Sequence, residues 1–167
     1  MKKISVNLIK KPIKFSNHIY HYINDYYTDN FGLQWNEFRS TQIDKSNNSN
    51  SYDRFFNETG LKKSDFNNKN VLEVGSGAGR FTNILLKYTN AEVHSVDSSD
   101  SVYANLKNNF DFINNRLNLY KASIYDLPFK DKQFDLVICF GVLQHTPDIK
   151  KTINSLCDQV KKGGLII

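Results

Sequence analysis

The feature that most restricts what this chain can fold into is a glycine run lying between two different periodicities, Glu73-Val74-Gly75-Ser76-Gly77-Ala78-Gly79-Arg80. Before it, Val71-Leu72-Glu73-Val74 is short, apolar and β-branched, and reads as a strand. After it, Arg80 to Tyr88 places Phe81, Ile84, Leu85 and Tyr88 on one helical face. A strand that turns through glycines into a helix is the opening unit of an open α/β sheet, and that turn is where such sheets hold ligands. Glycine is needed because the chain turns sharply there. A side chain would also block a ligand lying on the backbone.

The same alternation continues to the end of the chain. Glu92 to Val96 reads as a second strand, ended by Asp97. A helix through Val102, Tyr103, Leu106 and Phe110 follows, with Ser98 or Ser99 as its cap. Leu117 to Ala122 is a third strand, and Phe134 to Phe140 a fourth, apolar enough to be buried on both faces. Thr146-Pro147 is expected to cap a helix with Ile149, Ile153, Leu156 and Val160 on its apolar face. Gly163 closes it, and Leu165-Ile166-Ile167 begins a fifth strand. The expected fold class is α/β, a Rossmann-like open parallel sheet with helices on both faces.

Residues 1–68 form a leader of different character, rich in Tyr, Phe and Asn, and residues 69–167 form the alternating domain. In the leader, Ile19, Tyr20, Ile23 and Tyr27 predict a helix over Ser16 to Asn30, broken by Gly32. A polar loop runs from Asp44 to Ser51, and Tyr52 to Thr59 predicts a short helix stopped by Gly60 in the left-handed conformation. The leader is a candidate substrate cap, with Trp35 a candidate lid residue or a core or dimer contact.

Glycine spacing separates the ligand classes. A dinucleotide fingerprint counted from Gly75 requires glycine at position 80, where Arg80 stands, so a nicotinamide-dependent dehydrogenase is disfavoured. There is no Walker-type lysine either. Asp97 lies 18 residues after Gly79, where a carboxylate can accept two hydrogen bonds from a ribose diol. The lesser reading is a helix cap at a strand end, and Asp97 could do both jobs.

Composition narrows the reading further. The net charge of +5 is spread over separate faces rather than interleaved with aromatics along one element, so a nucleic-acid partner is not favoured. Cys139 and Cys157 form no metal or redox pair, and His18 with His21 lacks a carboxylate or Cys motif to complete a site; no metal is expected. No apolar run reaches the roughly 18 residues of a membrane span. The amino terminus does not read as a signal peptide, which makes a cytoplasmic location the expectation.

The ordered set of motifs resembles class I S-adenosylmethionine-dependent methyltransferases, of the methyltransferase type 11-like kind. The resemblance is carried by Val71 through Phe81, Asp97, Leu127-Pro128-Phe129, Phe134-Asp135-Leu136-Val137, Gly141 through Asp148, and Lys161-Lys162-Gly163-Gly164. It covers about residues 69 to 167. Phe31 through Trp35 and Arg54 through Gly60 look like a leader of some bacterial members, often from clusters for surface sugars or secondary metabolites.

The resemblance implies S-adenosylmethionine as cofactor and assigns roles along the chain. Gly75, Ser76 and Gly77, in the turn closed by Gly79, would line the methionine part, with Glu73 near its ammonium. Asp97 would hold the ribose, with Ser98 beside the adenine and Ile124 packed on it. Phe140 and Gly141 would border the sulfonium. Ser123 stands where the family often has an Asp that accepts from the adenine amino group, which implies weaker adenine selectivity. The resemblance also implies a sheet lacking the last two strands of the seven-stranded methyltransferase fold.

Because the sulfonium already makes its methyl group electrophilic, the protein need only place an acceptor in line and manage a proton where one is released. His145, following the fourth strand on the ligand side, is the candidate general base, or else a residue that fixes its turn. The expected function is methyl transfer to an O, N or C atom of a small molecule. The alternative is a non-catalytic cofactor-binding module or an inactive fragment completed by another chain.

Overall fold

The computed structural model describes residues 6–24, 29–44 and 50–167. Tyr27 of the expected leader helix, the centre of the polar loop at 45–49, residues 1–5 and the Phe31 side chain lie outside the described set. In chain order the elements are β1 (Lys14–Ser16), β2 (Ile19–His21), α1 (Asp29–Glu37), α2 (Asn50–Thr59), β3 (Asn70–Val74), α3 (Arg80–Tyr88) and β4 (Glu92–Asp97). There follow α4 (Ser101–Asn108), β5 (Leu117–Lys121), β6 (Phe134–Ile138), α5 (Ile149–Gln159) and β7 (Val160–Ile166).

All the strands join one sheet in the order β1-β2-β5-β4-β3-β6-β7. Every pairing from β2 to β7 is parallel; only β1 runs antiparallel, against β2. Period-two alternation sends successive β3 side chains to opposite faces. Val71 packs with Phe81, Ile84 and Leu85 of α3 and with Phe55 of α2. Leu72 and Val74 enter a second cluster with Tyr120, Phe129, Phe134 and Leu156 on the other face. With both faces covered, the central strands carry the near-continuous apolar runs that parallel sheets need.

Several expectations need correction. A sheet two strands short is not what forms: it has seven strands, because β1 and β2 from the leader extend it beyond β5. The helix expected over 16–30 is replaced at its start by this hairpin. Asn17 and His18 both have positive φ, 50° and 62°, in a two-residue turn of the kind whose twist suits a hairpin. Ile19 is then fully buried, and the Tyr20 ring stacks on Tyr120 at 5.4 Å. Gly32 lies within α1 instead of ending a helix, because a side chain there would meet Asp100.

At the other end, the cap of α5 is Asp148, whose side chain accepts from Lys151 N, and not Thr146. Ile149 and Ile153 are exposed, while Thr152, Leu156 and Gln159 turn inward. The fifth strand of the alternating domain, β7, begins at Val160, earlier than expected, directly from α5. Its register with β6 shifts between Phe134 and Leu136. For α4 the capping position is Asp100, although Ser99 Oγ does accept from Ser101 N at 3.2 Å.

Candidate functional site

The carboxyl ends of β3, β4, β5 and β6 point the same way, so the loops leaving them share one edge of the sheet. The loop after β3 is held tightly. Gly75 N and Ser76 N both donate to Val96 O, at 2.8 and 3.1 Å, and Gly79 N donates to Ser76 O at 2.9 Å. Gly77 N donates to Asp97 Oδ2 at 2.8 Å. Two of the glycines are dictated by neighbours as well as by positive φ. A Cβ on Gly75 would stand 2.4 Å from Val142 Cγ2, and one on Gly79 would stand 2.2 Å from Asn105 Oδ1. Gly77, with φ of +53°, differs: a Cβ there would meet only the Trp35 ring, Nε1 at 3.8 Å. Its outer face is the open part of the turn.

Asparagines in α3, in α4 and just after α4 support the turn. Asn105 Nδ2 donates to Ser76 Oγ (3.1 Å) and Thr82 Oγ1 (3.0 Å). Asn109 Nδ2 donates to Gly79 O (3.2 Å) and Asn105 Oδ1 (2.9 Å), and Asn83 Nδ2 donates to Asn109 Oδ1 (2.8 Å). The sequence motifs did not include this network. Its signal was the spacing of Asn105, Asn108 and Asn109, which puts them on one helical face.

Glu73 is 3% exposed and lies beneath α3, where its Oε2 accepts from Thr82 Oγ1 and, at 2.8 Å, from Ser95 Oγ. Burial pushes its pKa up to about 7, against the two hydroxyl hydrogen bonds, with the Asp97 charge adding to the rise. Asp97 is 8% exposed at the end of β4. Its Oδ1 accepts from Ser99 N at 2.8 Å and Ser99 Oγ at 2.7 Å, while Oδ2 accepts from Gly77 N. A carboxylate offers about four lone-pair sites, so three donors leave about one for a ribose hydroxyl. A grip on both hydroxyls requires Ser99 Oγ to turn away, and Ser101 Oγ already bonds it at 2.7 Å. Ser98, between these groups, is half-buried.

After β5, Ser123 Oγ accepts from Tyr125 N at 3.2 Å, shaping the turn on which half-buried Ile124 packs against the second core cluster. After β6, Phe140 sits against Phe81 at 4.8 Å with the Arg54 guanidinium 5.2 Å from its ring. Gly141 has φ of +73°, and no atom lies within 4 Å of where a Cβ on it would stand; Val142 covers Gly75. His145 is exposed on a 3-10 turn, Leu143–His145, with its backbone N donating to Val142 O. Thr146 Oγ1, donating to Leu143 O at 2.8 Å, helps fix that turn.

The structure thus gathers Gly75, Ser76, Gly77, Gly79, Asp97 and Ser98 around one turn, with the His145 turn docked through Val142. Ser123 and Ile124 leave the neighbouring strand on the same edge. Ser99 was expected only as a helix cap, and Trp35 only as a candidate lid or as a core or dimer contact. Of the other histidines, His21 is buried in β2, His94 is buried with Nδ1 2.9 Å from Tyr120 OH, and His18 is half-buried in the hairpin turn. No group of metal-ligating side chains occurs among the described residues. No described helix is long and apolar enough to cross a membrane.

Comparison with known proteins bears on family and fold. The chain is 35% identical over 98 residues to a ubiquinone biosynthesis O-methyltransferase of Coxiella burnetii, an alignment covering 58% of this chain and 41% of that protein. It is 35% identical over 104 residues to a tRNA U34 carboxymethyltransferase of Nautilia profundicola, covering 60% of this chain and 33% of that one. The chain therefore spans well under half the length of these curated relatives. In fold it is similar to a candidate S-adenosyl-L-methionine-dependent methyltransferase of Methanococcus maripaludis, with a TM-score of 0.67 at 20% identity over 86% of this chain and 65% of that one. It is similar in fold also to the [4+2]-cyclase SpnF, with a TM-score of 0.62 at 18% identity over 68% of this chain and 43% of that one. Residues 72–167 match the family described as a methyltransferase domain, and the chain belongs to that family.

Proposed function

We propose that this chain binds S-adenosylmethionine, the methyl donor of its family, and serves methyl transfer to a small-molecule acceptor. The observation that carries the reading is the Gly77 turn: open on its outer face and tied through its N–H to the Asp97 carboxylate. Gly75 through Gly77 would carry the methionine part, Asp97 the ribose, and Ser98, Ser123 and Ile124 the adenine. Phe140 and Gly141 would border the sulfonium. Bound there, the cofactor supplies an electrophilic methyl group, so the protein's share is placement, exclusion of water and handling of any released proton. We assign that last role to His145, on the exposed turn docked against Gly75 through Val142. An acceptor hydroxyl would lose its proton to the imidazole as its oxygen bonds the methyl carbon and the carbon–sulfur bond breaks, the electron pair leaving with S-adenosylhomocysteine.

Charge distribution supports a small acceptor over a polyanion. Several of the described cations have local partners: Lys10 with Asp126, Lys161 with Asp135, Lys63 over Tyr52 and Tyr88, and Lys151 over Tyr125. The relatives' own acceptors differ in kind, one protein belonging to ubiquinone biosynthesis and the other acting on tRNA U34. The test is formation of S-adenosylhomocysteine when the chain is given phenolic, sugar and tRNA acceptors in parallel. Turnover with a hydroxyl-bearing small molecule, reduced roughly 100-fold in His145→Gln, is expected. Turnover on tRNA alone would overturn the acceptor assignment, and full activity of the variant would remove His145 as base.

A further inference from the structure

We propose that Trp35 is a cofactor-binding residue whose indole N–H donates to the carboxylate of the methionine part. This rests on the reading that the cofactor lies on the Gly77 turn. A carboxylate arriving there finds four of the turn's own donors taken. The N–H groups of Gly75 and Ser76 go to Val96 O, that of Gly77 to Asp97, and that of Gly79 to Ser76 O. With four of its five amides spent, the turn is a poor anion nest, and the negative group gains from a donor elsewhere.

Trp35 supplies one from above. Of its ring atoms, Nε1 comes nearest the outer face of Gly77, 3.8 Å from where a Cβ would stand. An indole nitrogen can only donate, and this one makes no hydrogen bond with any described residue. The ring is half-buried, so its N–H borders both the turn and solvent.

Helix α1 is fixed to both parts of the candidate site, which gives the ring a defined position. Asn36 Nδ2 donates to Gly32 O at 2.9 Å and to Asp100 O at 2.7 Å. Gly32 lies so close to Asp100 that a Cβ would approach its Cβ to 2.9 Å. Asp100 is held in turn by buried Lys121, with Nζ to Oδ1 at 2.6 Å. Just past α1, Arg39 O accepts from Asn108 Nδ2 at 3.1 Å, and the same amide donates to Ala78 O at 2.9 Å. The helix that carries Trp35 thus docks on the Asp97–Asp100 loop and on the glycine turn together.

The experiment is calorimetric titration of wild type and Trp35→Phe with two ligands, S-adenosylhomocysteine and its decarboxylated analogue. The variant keeps a ring and loses the N–H. It is expected to bind S-adenosylhomocysteine about ten-fold more weakly and the decarboxylated analogue as wild type does. Trp35 is the chain's single tryptophan, so wild-type emission should change on saturation with the calorimetric midpoint. Equal affinity of variant and wild type for S-adenosylhomocysteine would overturn the proposal. So would equal weakening of both ligands, or wild-type emission that stays flat while heat is released. Wild type that binds neither ligand would remove the cofactor reading itself, and this inference with it.

Discussion

At Glu73 burial and hydrogen bonding oppose each other, and burial wins. The carboxyl group is buried beneath α3 with hydroxyl donors from Thr82 and Ser95, and its pKa still rises from 4.5 to about 7. The unfolded chain releases this proton near the ordinary value, whereas the folded chain keeps it to about 7. Between those values the folded state binds more protons, so this group's contribution to stability falls as pH rises and levels off above about 7. Glu73→Gln keeps the acceptor oxygen and removes the titration. In urea unfolding it should flatten the slope between pH 5 and 7 and gain on the order of 2 kcal/mol at pH 8. An unchanged slope would contradict the assignment. The sequence made Glu73 visible as part of a motif but not its surroundings, because the hydroxyls that receive it come from α3 and from the adjacent strand.

At the scale of elements, β3, the glycine turn and α3 were legible because local signals agree there: an apolar run, glycines, then a helical face. What makes Gly75 obligatory was not legible, since Val142 arrives from a loop 67 positions later. Gly75→Ala combines a clash with Val142 and a left-handed residue, and should destabilise by about 2–4 kcal/mol. In a Val142→Ala background the clash is relieved and about 1–2 kcal/mol of backbone cost should remain. Strictly additive effects in the double-mutant cycle would contradict the contact. The hairpin at 14–21 failed to show in the sequence for a different reason. Three-residue strands are too short to display alternation, and Ile19, Tyr20 and Ile23 also fit helical spacing. The face of α5 misled in the same way: periodicity identifies an apolar side but not whether anything covers it, and Ile149 and Ile153 remain exposed.

Over the whole molecule, four loops meet at the carboxyl edge of a seven-stranded sheet, and the leader contributes at both ends of that assembly. Its hairpin extends the sheet beside β5, while α1 lies across the glycine turn and the Asp100 loop. The order of motifs along the sequence was enough to indicate the fold and the edge on which the site lies. Trp35 was legible as a candidate lid but not as a neighbour of Gly77, because that place depends on how α1 docks and not on any motif. The central claim, that this edge holds S-adenosylmethionine through Asp97 and the Gly77 turn, is tested most directly by calorimetric titration with S-adenosylhomocysteine. Wild type and Asp97→Ala would be compared, with circular dichroism confirming that both are folded. The account predicts saturable binding to wild type, weakened about 10- to 100-fold by the substitution. A folded wild type that releases no heat, or an Asp97→Ala chain that binds as tightly, would contradict it.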